Sequence, residues 1–164
     1  MITVSKDKRK TVKHFYVDES DHWHVTVHKR GGTIDENIED TLKTINSSSV
    51  MYEVWENDEL AAFFVVYKGL VVQGLEGFHI AKKYRNKDFF EAFWKEVKSY
   101  FKGEITMGLC SRNKEALSHV LRQGFEVTDS NVIDGKIYVL LTHKNKDYAP
   151  QFGFGCSRGT ISAR

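Results

Sequence analysis

Hydrophobic positions change period several times along the chain, and each change marks an element. In residues 1–32 apolar and polar positions alternate. Phe15 and Val17, then Trp23, Val25 and Val27, fall on single faces of extended segments, and Asp18, Glu19, Ser20 and Asp21 form a polar turn between them. This alternation predicts a strand hairpin that ends at Gly31-Gly32. From Thr33 the period becomes helical: Ile34, Ile38, Leu42 and Ile45 share a face, Thr33 with Glu36 makes a capping box, and Ser47-Ser48-Ser49 stops the helix.

Residues 50–144 switch to strands first. Met51 to Trp55 and Leu60 to Tyr67 are joined by a turn at Asn57-Asp58, and after Gly69 a third strand covers Leu70 to Ala81, so the three form an antiparallel meander. Phe90, Phe93, Trp94, Val97 and Phe101 recur at three- and four-residue steps and lay one apolar stripe along a helix that stops at Gly103. Ile105 to Cys110 is a short buried strand. Asn113 to Gln123 is a helix with Ala116, Leu117, Val120 and Leu121 turned inward and Gly124 as its stop. Phe125 to Val132 and Lys136 to Thr142 make a hairpin around Asp134-Gly135. The order β-β-β-α-β-α-β-β predicts an α/β (α+β) fold.

After Lys144 periodicity vanishes, and the only proline, Pro150, opens a Gly-rich stretch that builds no core element. Residues 1–144 are therefore expected to form a single domain (hairpin 1–32, helix 33–49, core 50–144) followed by an extended tail, 145–164. Phe152, Phe154 and Ile161 of that tail are expected to dock on a neighbouring surface, in this chain or another, with glycines allowing close backbone approach.

Composition narrows the picture only a little. An apolar fraction of 41% fills a core and argues against disorder. A net charge of +2 signals neither a nucleic-acid partner nor an anionic membrane. No window approaches the roughly 18 to 20 apolar residues of a membrane helix, and Met1 to Lys10 are too charged for a signal sequence. A soluble, cytoplasmic protein is expected. Cys110 and Cys156 have no paired spacing and are read as reduced thiols, while His22, His24 and His28 share a strand face without the carboxylate or thiolate that would complete a metal site. No metal is expected.

Two segments carry a family resemblance. IAKKYRNKDFFEAFWKEV, Ile80 to Val97, and NKEALSHVLRQGFEV, Asn113 to Val127, taken with the element order, resemble the GNAT (Gcn5-related N-acetyltransferase) superfamily. The first is similar to the family's fourth strand, phosphate-binding loop and following helix. In the second, Asn113, Ala116, Gly124 and Phe125 occupy the family's Asn, Ala and Gly-Phe places. The resemblance implies a mixed, mainly antiparallel sheet with helices on both faces. It implies acetyl-CoA as cofactor, bound by Arg85, Asn86, Lys87 and Asn113 with its pyrophosphate at the helix N-terminus and Arg85 and Lys87 on the phosphates, and Glu76 or His79 as candidate base.

The same comparison shows departures. The three customary glycine places hold Asn86, Asp88 and Phe90, and Asp88 brings a carboxylate toward the phosphate oxygens. The tyrosine that often supplies the acid seven residues after the Asn is Val120, so this role would fall to a neighbour such as His119 or Tyr138. In size and in its altered site the chain is also similar to GNAT-like virion proteins of tailed bacteriophages. Two functions stay open: a non-catalytic structural component that assembles with other protein chains through the N-terminal hairpin and the tail, located in a virion if of phage origin and then with no cofactor; or an acetyl-CoA-dependent N-acetyltransferase acting on an amine.

Overall fold

A computed structural model describes residues 1–18 and 33–144. A short strand, β1 (Ile2–Val4), leads into helix α1 (Lys8–Asp18). This corrects the expected N-terminal hairpin: its first strand is a helix. The Asp7 side chain accepts the Lys10 N–H at 3.2 Å, an N-cap, and Thr11, Val12, Phe15 and Tyr16 bury one helical face. The alternation of Phe15 with Val17 spans too few residues to outweigh that stripe. The second strand of the expected hairpin, with Trp23, His22, His24 and His28, lies outside the described residues.

Helix α2 (Ile34–Lys43) has both halves of its capping box: Thr33 Oγ1 accepts the Glu36 N–H at 3.1 Å, and Glu36 Oε2 accepts the Thr33 N–H at 3.4 Å. Arg9 of α1 pairs with Asp35 and Glu39, and Tyr16 is hydrogen-bonded to Thr41. Strands β2 (Val50–Glu56) and β3 (Glu59–Lys68) follow, joined by Asn57 and Asp58 at φ of 50° and 61°. Asn and Asp tolerate this left-handed turn better than most side chains. Every residue from Leu60 to Val66 is buried, so the apolar run marks a strand covered on both faces.

Strand β4 spans Gln73–Ile80. It starts later than the expected Leu70, because Gly69 N–H bonds Val72 O at 2.9 Å and the turn this closes leaves Leu70 and Val71 exposed. A 3-10 turn (Lys82–Tyr84), helix α3 (Lys87–Ser99), β5 (Glu104–Cys110), α4 (Lys114–Arg122), β6 (Glu126–Ile133) and β7 (Lys136–Lys144) complete the order. Among the described residues the strands make a seven-stranded, mostly antiparallel sheet in the order β1-β2-β3-β4-β5-β7-β6.

Among the described residues two compact units divide these elements, the first within Met1–Tyr67 and Leu75–Ala92, the second Lys68–Gly74 with residues 93–144. In the first, Val12, Phe15, Tyr16, Ile38, Met51, Leu60, Phe63 and Val65 form one core cluster. In the second, Phe93, Trp94, Val97 and Phe101 are buried as their spacing predicts, with Ile105, Met107, Val120, Phe125 and Leu141. On α4 the inward face is rotated from the expected one: His119 is buried and Leu121 is exposed. The Trp94 indole N–H donates to His119 Nε2 at 2.5 Å, which gives the imidazole a buried partner. Within this unit Gly74 and Thr106 form a parallel pair so close that a Cβ on Gly74 would lie 2.6 Å from the Thr106 carbonyl oxygen. Among the described residues no helix is long and apolar enough to cross a membrane, and no group of three His, Cys, Asp or Glu could hold a metal ion.

Candidate functional site

In the first unit, β4 carries Glu76 and His79. Glu76 turns both carboxylate oxygens to the loop after α2: Oε2 accepts the Asn46 N–H at 2.7 Å and Oε1 accepts the Ser49 hydroxyl at 2.6 Å. The loop is tied further. Asn46 Oδ1 accepts the Ser48 N–H at 2.9 Å, and the Ser49 carbonyl accepts Lys8 Nζ at 2.7 Å. His79 packs against aromatic rings, 4.9 Å from Phe15 and 6.2 Å from Phe63 between centroids. The two candidate bases thus sit in different surroundings, one fastening a loop and the other against the core cluster.

The loop after β4 is fastened from β3. Glu59 takes an ion pair from Lys83 and a 2.9 Å hydrogen bond from the Tyr84 hydroxyl, and Tyr84 lies 5.3 Å from Phe89. The Lys83 bond, then the Tyr84 bond, hold the Glu59 carboxyl below its ordinary range, and the same ion pair raises Lys83. Desolvation, then Glu59, pushes Tyr84 up. Sequence spacing gave no sign of Glu59, because its partners lie more than twenty residues away.

Arg85 spends its Nε–H on the Ile80 carbonyl at 2.8 Å. Asn86 is the N-cap of α3: its Oδ1 accepts the Phe89 N–H at 2.9 Å and its carbonyl accepts the Phe90 N–H at 3.0 Å. Asp88 lies in the first turn, where a carboxylate complements the helix dipole, and exposed Lys87 faces Glu91 one turn on at 3.9 Å. These residues place a side-chain acceptor and a negative charge at the helix end where an anion would need donors and a positive field.

Asn113 belongs to the second unit. It caps α4, its Oδ1 accepting the Ala116 N–H at 3.3 Å. Val120 is wholly buried. His119 uses Nε2 to accept the Trp94 N–H, and burial, helped by the charge of Arg122, lowers its pKa to about 4. It is a neutral imidazole at neutral pH, with no proton on Nε2. Tyr138 is half-buried on β7 opposite Cys110 and Asn131. Glu76, His79, Arg85, Asn86 and Lys87 are thus in one unit and Asn113 in the other, while Phe152, Phe154 and Ile161 lie outside the described residues.

No family model matches the sequence, and no curated protein matches it. Solved structures do match the fold. A spermidine N-acetyltransferase chimera of Vibrio cholerae SpeG and hSSAT is similar with a TM-score of 0.58 at 14% identity, over 88% of this chain and 95% of that one. The ribosomal-protein-S18-alanine N-acetyltransferase of Escherichia coli gives 0.54 at 12%, over 92% and 100%. A GNAT family acetyltransferase of Elizabethkingia anophelis, crystallised with acetyl-CoA, gives 0.51 at 20%, over 67% and 82%. The chain has the GNAT fold, an α/β architecture around a mainly antiparallel sheet.

Proposed function

We propose that this chain is a GNAT-fold assembly module rather than a working acetyltransferase. The observation that carries this reading is the start of α3: the Asn86 side chain already bonds the Phe89 N–H, and Asp88 adds a carboxylate to the same turn. The residues there do not suit the pyrophosphate of acetyl-CoA, since backbone donors and positive field are what a diphosphate needs. Glu76 supports the reading, because its oxygens serve Asn46 and Ser49. Val120 supports it too, since valine has no proton to give a departing thiolate. In this reading the partners are other protein chains, reached in part through residues 145–164. The resemblance to phage proteins gives the proposed setting, a virion.

The second reading, an acetyl-CoA-dependent enzyme acting on an amine, draws on one comparison, the fold of a GNAT acetyltransferase that holds acetyl-CoA. Titration calorimetry separates the two. No heat and no thermal shift at millimolar acetyl-CoA is the expected result. Saturable binding that Arg85→Ala weakens would overturn the assembly reading. So would an unchanged assembly state after deletion of residues 147–164.

A further inference from the structure

An open groove of about 850 Å³ lies in the first unit and shares no residue with the candidate site above. Its floor is set by the β1–β2 register. Thr3 pairs with Glu53, and the Trp55 indole N–H donates to Thr3 Oγ1 at 2.9 Å, so the ring lies on the same face as Thr3. The half-buried indole packs in part against the core cluster and also lines the groove beside Glu53, which is engaged by the Thr11 hydroxyl at 2.5 Å.

The ends of the groove carry opposite charge. β1 runs antiparallel to β2, with Ile2 opposite Val54 and Val4 opposite Tyr52. Lys6 and Lys10, past the end of β1, therefore lie at one end, and Glu56, the last residue of β2, and Asp58, in the turn after it, lie at the other. All four are exposed. At one end Lys6 and Lys10 outnumber Asp7, at the other Glu56 and Asp58 outnumber the Met1 ammonium, which donates to Trp55 O, and the indole lies between.

The rim adds a backbone feature. β1 is the terminal strand of the sheet order. Ser5 N–H bonds Met51 O and Trp55 N–H bonds Met1 O, each at 2.8 Å, so residues 1 and 5 turn their ladder groups to β2. In an antiparallel ladder the alternate residues, Ile2 and Val4, turn theirs away from β2, to the side where no strand pairs with β1 among the described residues. A polar backbone edge beside an aromatic floor with two-signed ends matches an extended peptide better than a compact ligand.

We propose that this groove receives an extended peptide segment of a partner chain. The segment adds as a strand to the β1 edge, rests an apolar side chain on Trp55, and sets a carboxylate against Lys6 and Lys10 and a cation against Glu56 and Asp58. Side chains i and i+4 of a strand lie on one face about 13 Å apart, so the motif is an acidic and a basic residue four positions apart with an apolar residue midway. The proposal holds whether or not acetyl-CoA binds, so its test and the calorimetric one fail separately.

The test uses the full chain and fluorescein-labelled pentapeptides, Glu-Thr-Val-Thr-Lys and Lys-Thr-Val-Thr-Glu, with all-acidic and all-basic counterparts, read by fluorescence polarisation. One mixed-charge peptide is expected to bind at least about tenfold tighter than either single-sign peptide, a difference within what facing charges supply. The Lys6→Glu/Lys10→Glu double variant, confined to exposed residues, makes both ends acidic, so the all-basic peptide should then bind tightest, and Trp55→Ala should weaken binding of every peptide. N-methylation of alternate peptide amides should abolish binding. Failure of both mixed peptides to saturate by millimolar concentration, equal binding of the N-methylated peptide, or full displacement by free lysine or glutamate would each overturn the proposal.

Discussion

Around the candidate residues the two units use polar side chains in different ways. In the first, half-buried or exposed groups fasten loops: Glu76 holds the segment from Asn46 to Ser49, Glu59 holds Lys83 and Tyr84, and Asn86 holds the start of α3. In the second, His119 is drawn into the core and bonded to Trp94, and Gly74 is pressed against the Thr106 backbone. Water competes for the first set and is excluded from the second. A bond near water contributes little net, whereas an unpaired buried group or a forced overlap costs more. The residue types that could serve chemistry are absorbed into structure in both units, at very different cost if removed.

The largest expected effect is in the second unit. Trp94→Ala removes a fully buried indole and the donor to His119, and should destabilise by about 3–5 kcal/mol in urea unfolding. A loss under 1 kcal/mol would break the contrast. Next is the pH dependence of His119. Its pKa is about 4 folded against an ordinary 6.5, so between these values the unfolded chain binds more protons. Stability is full above pH 6.5 and falls as pH drops toward 4, by up to about 3 kcal/mol from this group. Comparing the wild type with His119→Leu across that window isolates the term, and equal slopes would refute it.

Gly74→Ala should cost about 1–3 kcal/mol, because the added methyl meets a carbonyl oxygen at 2.6 Å and backbone must shift. Thermal unfolding measures it directly. The smallest effect belongs to the first unit: Glu76→Ala should cost about 1–2 kcal/mol, since two donors regain water when their acceptor is lost. Its signature is local. The Asn46 amide should exchange with solvent faster while amides of β3 keep their protection, and uniform loss of protection would place Glu76 in the global core instead.

Much of this fold was legible along the chain. The Thr33 capping box, the Leu60 to Val66 run and the Asp134-Gly135 turn (φ 52° and 73°) are local devices, settled by residues within a few positions of one another. The N-terminal region departs from its alternating pattern because Phe15 and Val17 fit period 2 over only a short stretch, while the Asp7 cap and the Thr11, Val12, Phe15, Tyr16 stripe favour a helix. At the candidate site the sequence showed the missing glycines at Asn86, Asp88 and Phe90. It did not show that Asn86 would cap α3 or that Glu76 would serve a loop thirty residues earlier in the chain.

Sequence by itself therefore determined the order of strands and helices from Val50 onward and the chemical types available at each candidate position, because period, caps and turns act over one or two turns of chain. Tertiary structure alone decided which partner each polar group takes. Trp94 reaches His119 across 25 residues, and Glu59 reaches Tyr84 across 25, through packing that no local pattern encodes. The charged ends of the Trp55 groove likewise exist only because β1 and β2 lie antiparallel, which carries residues some fifty positions apart to one surface.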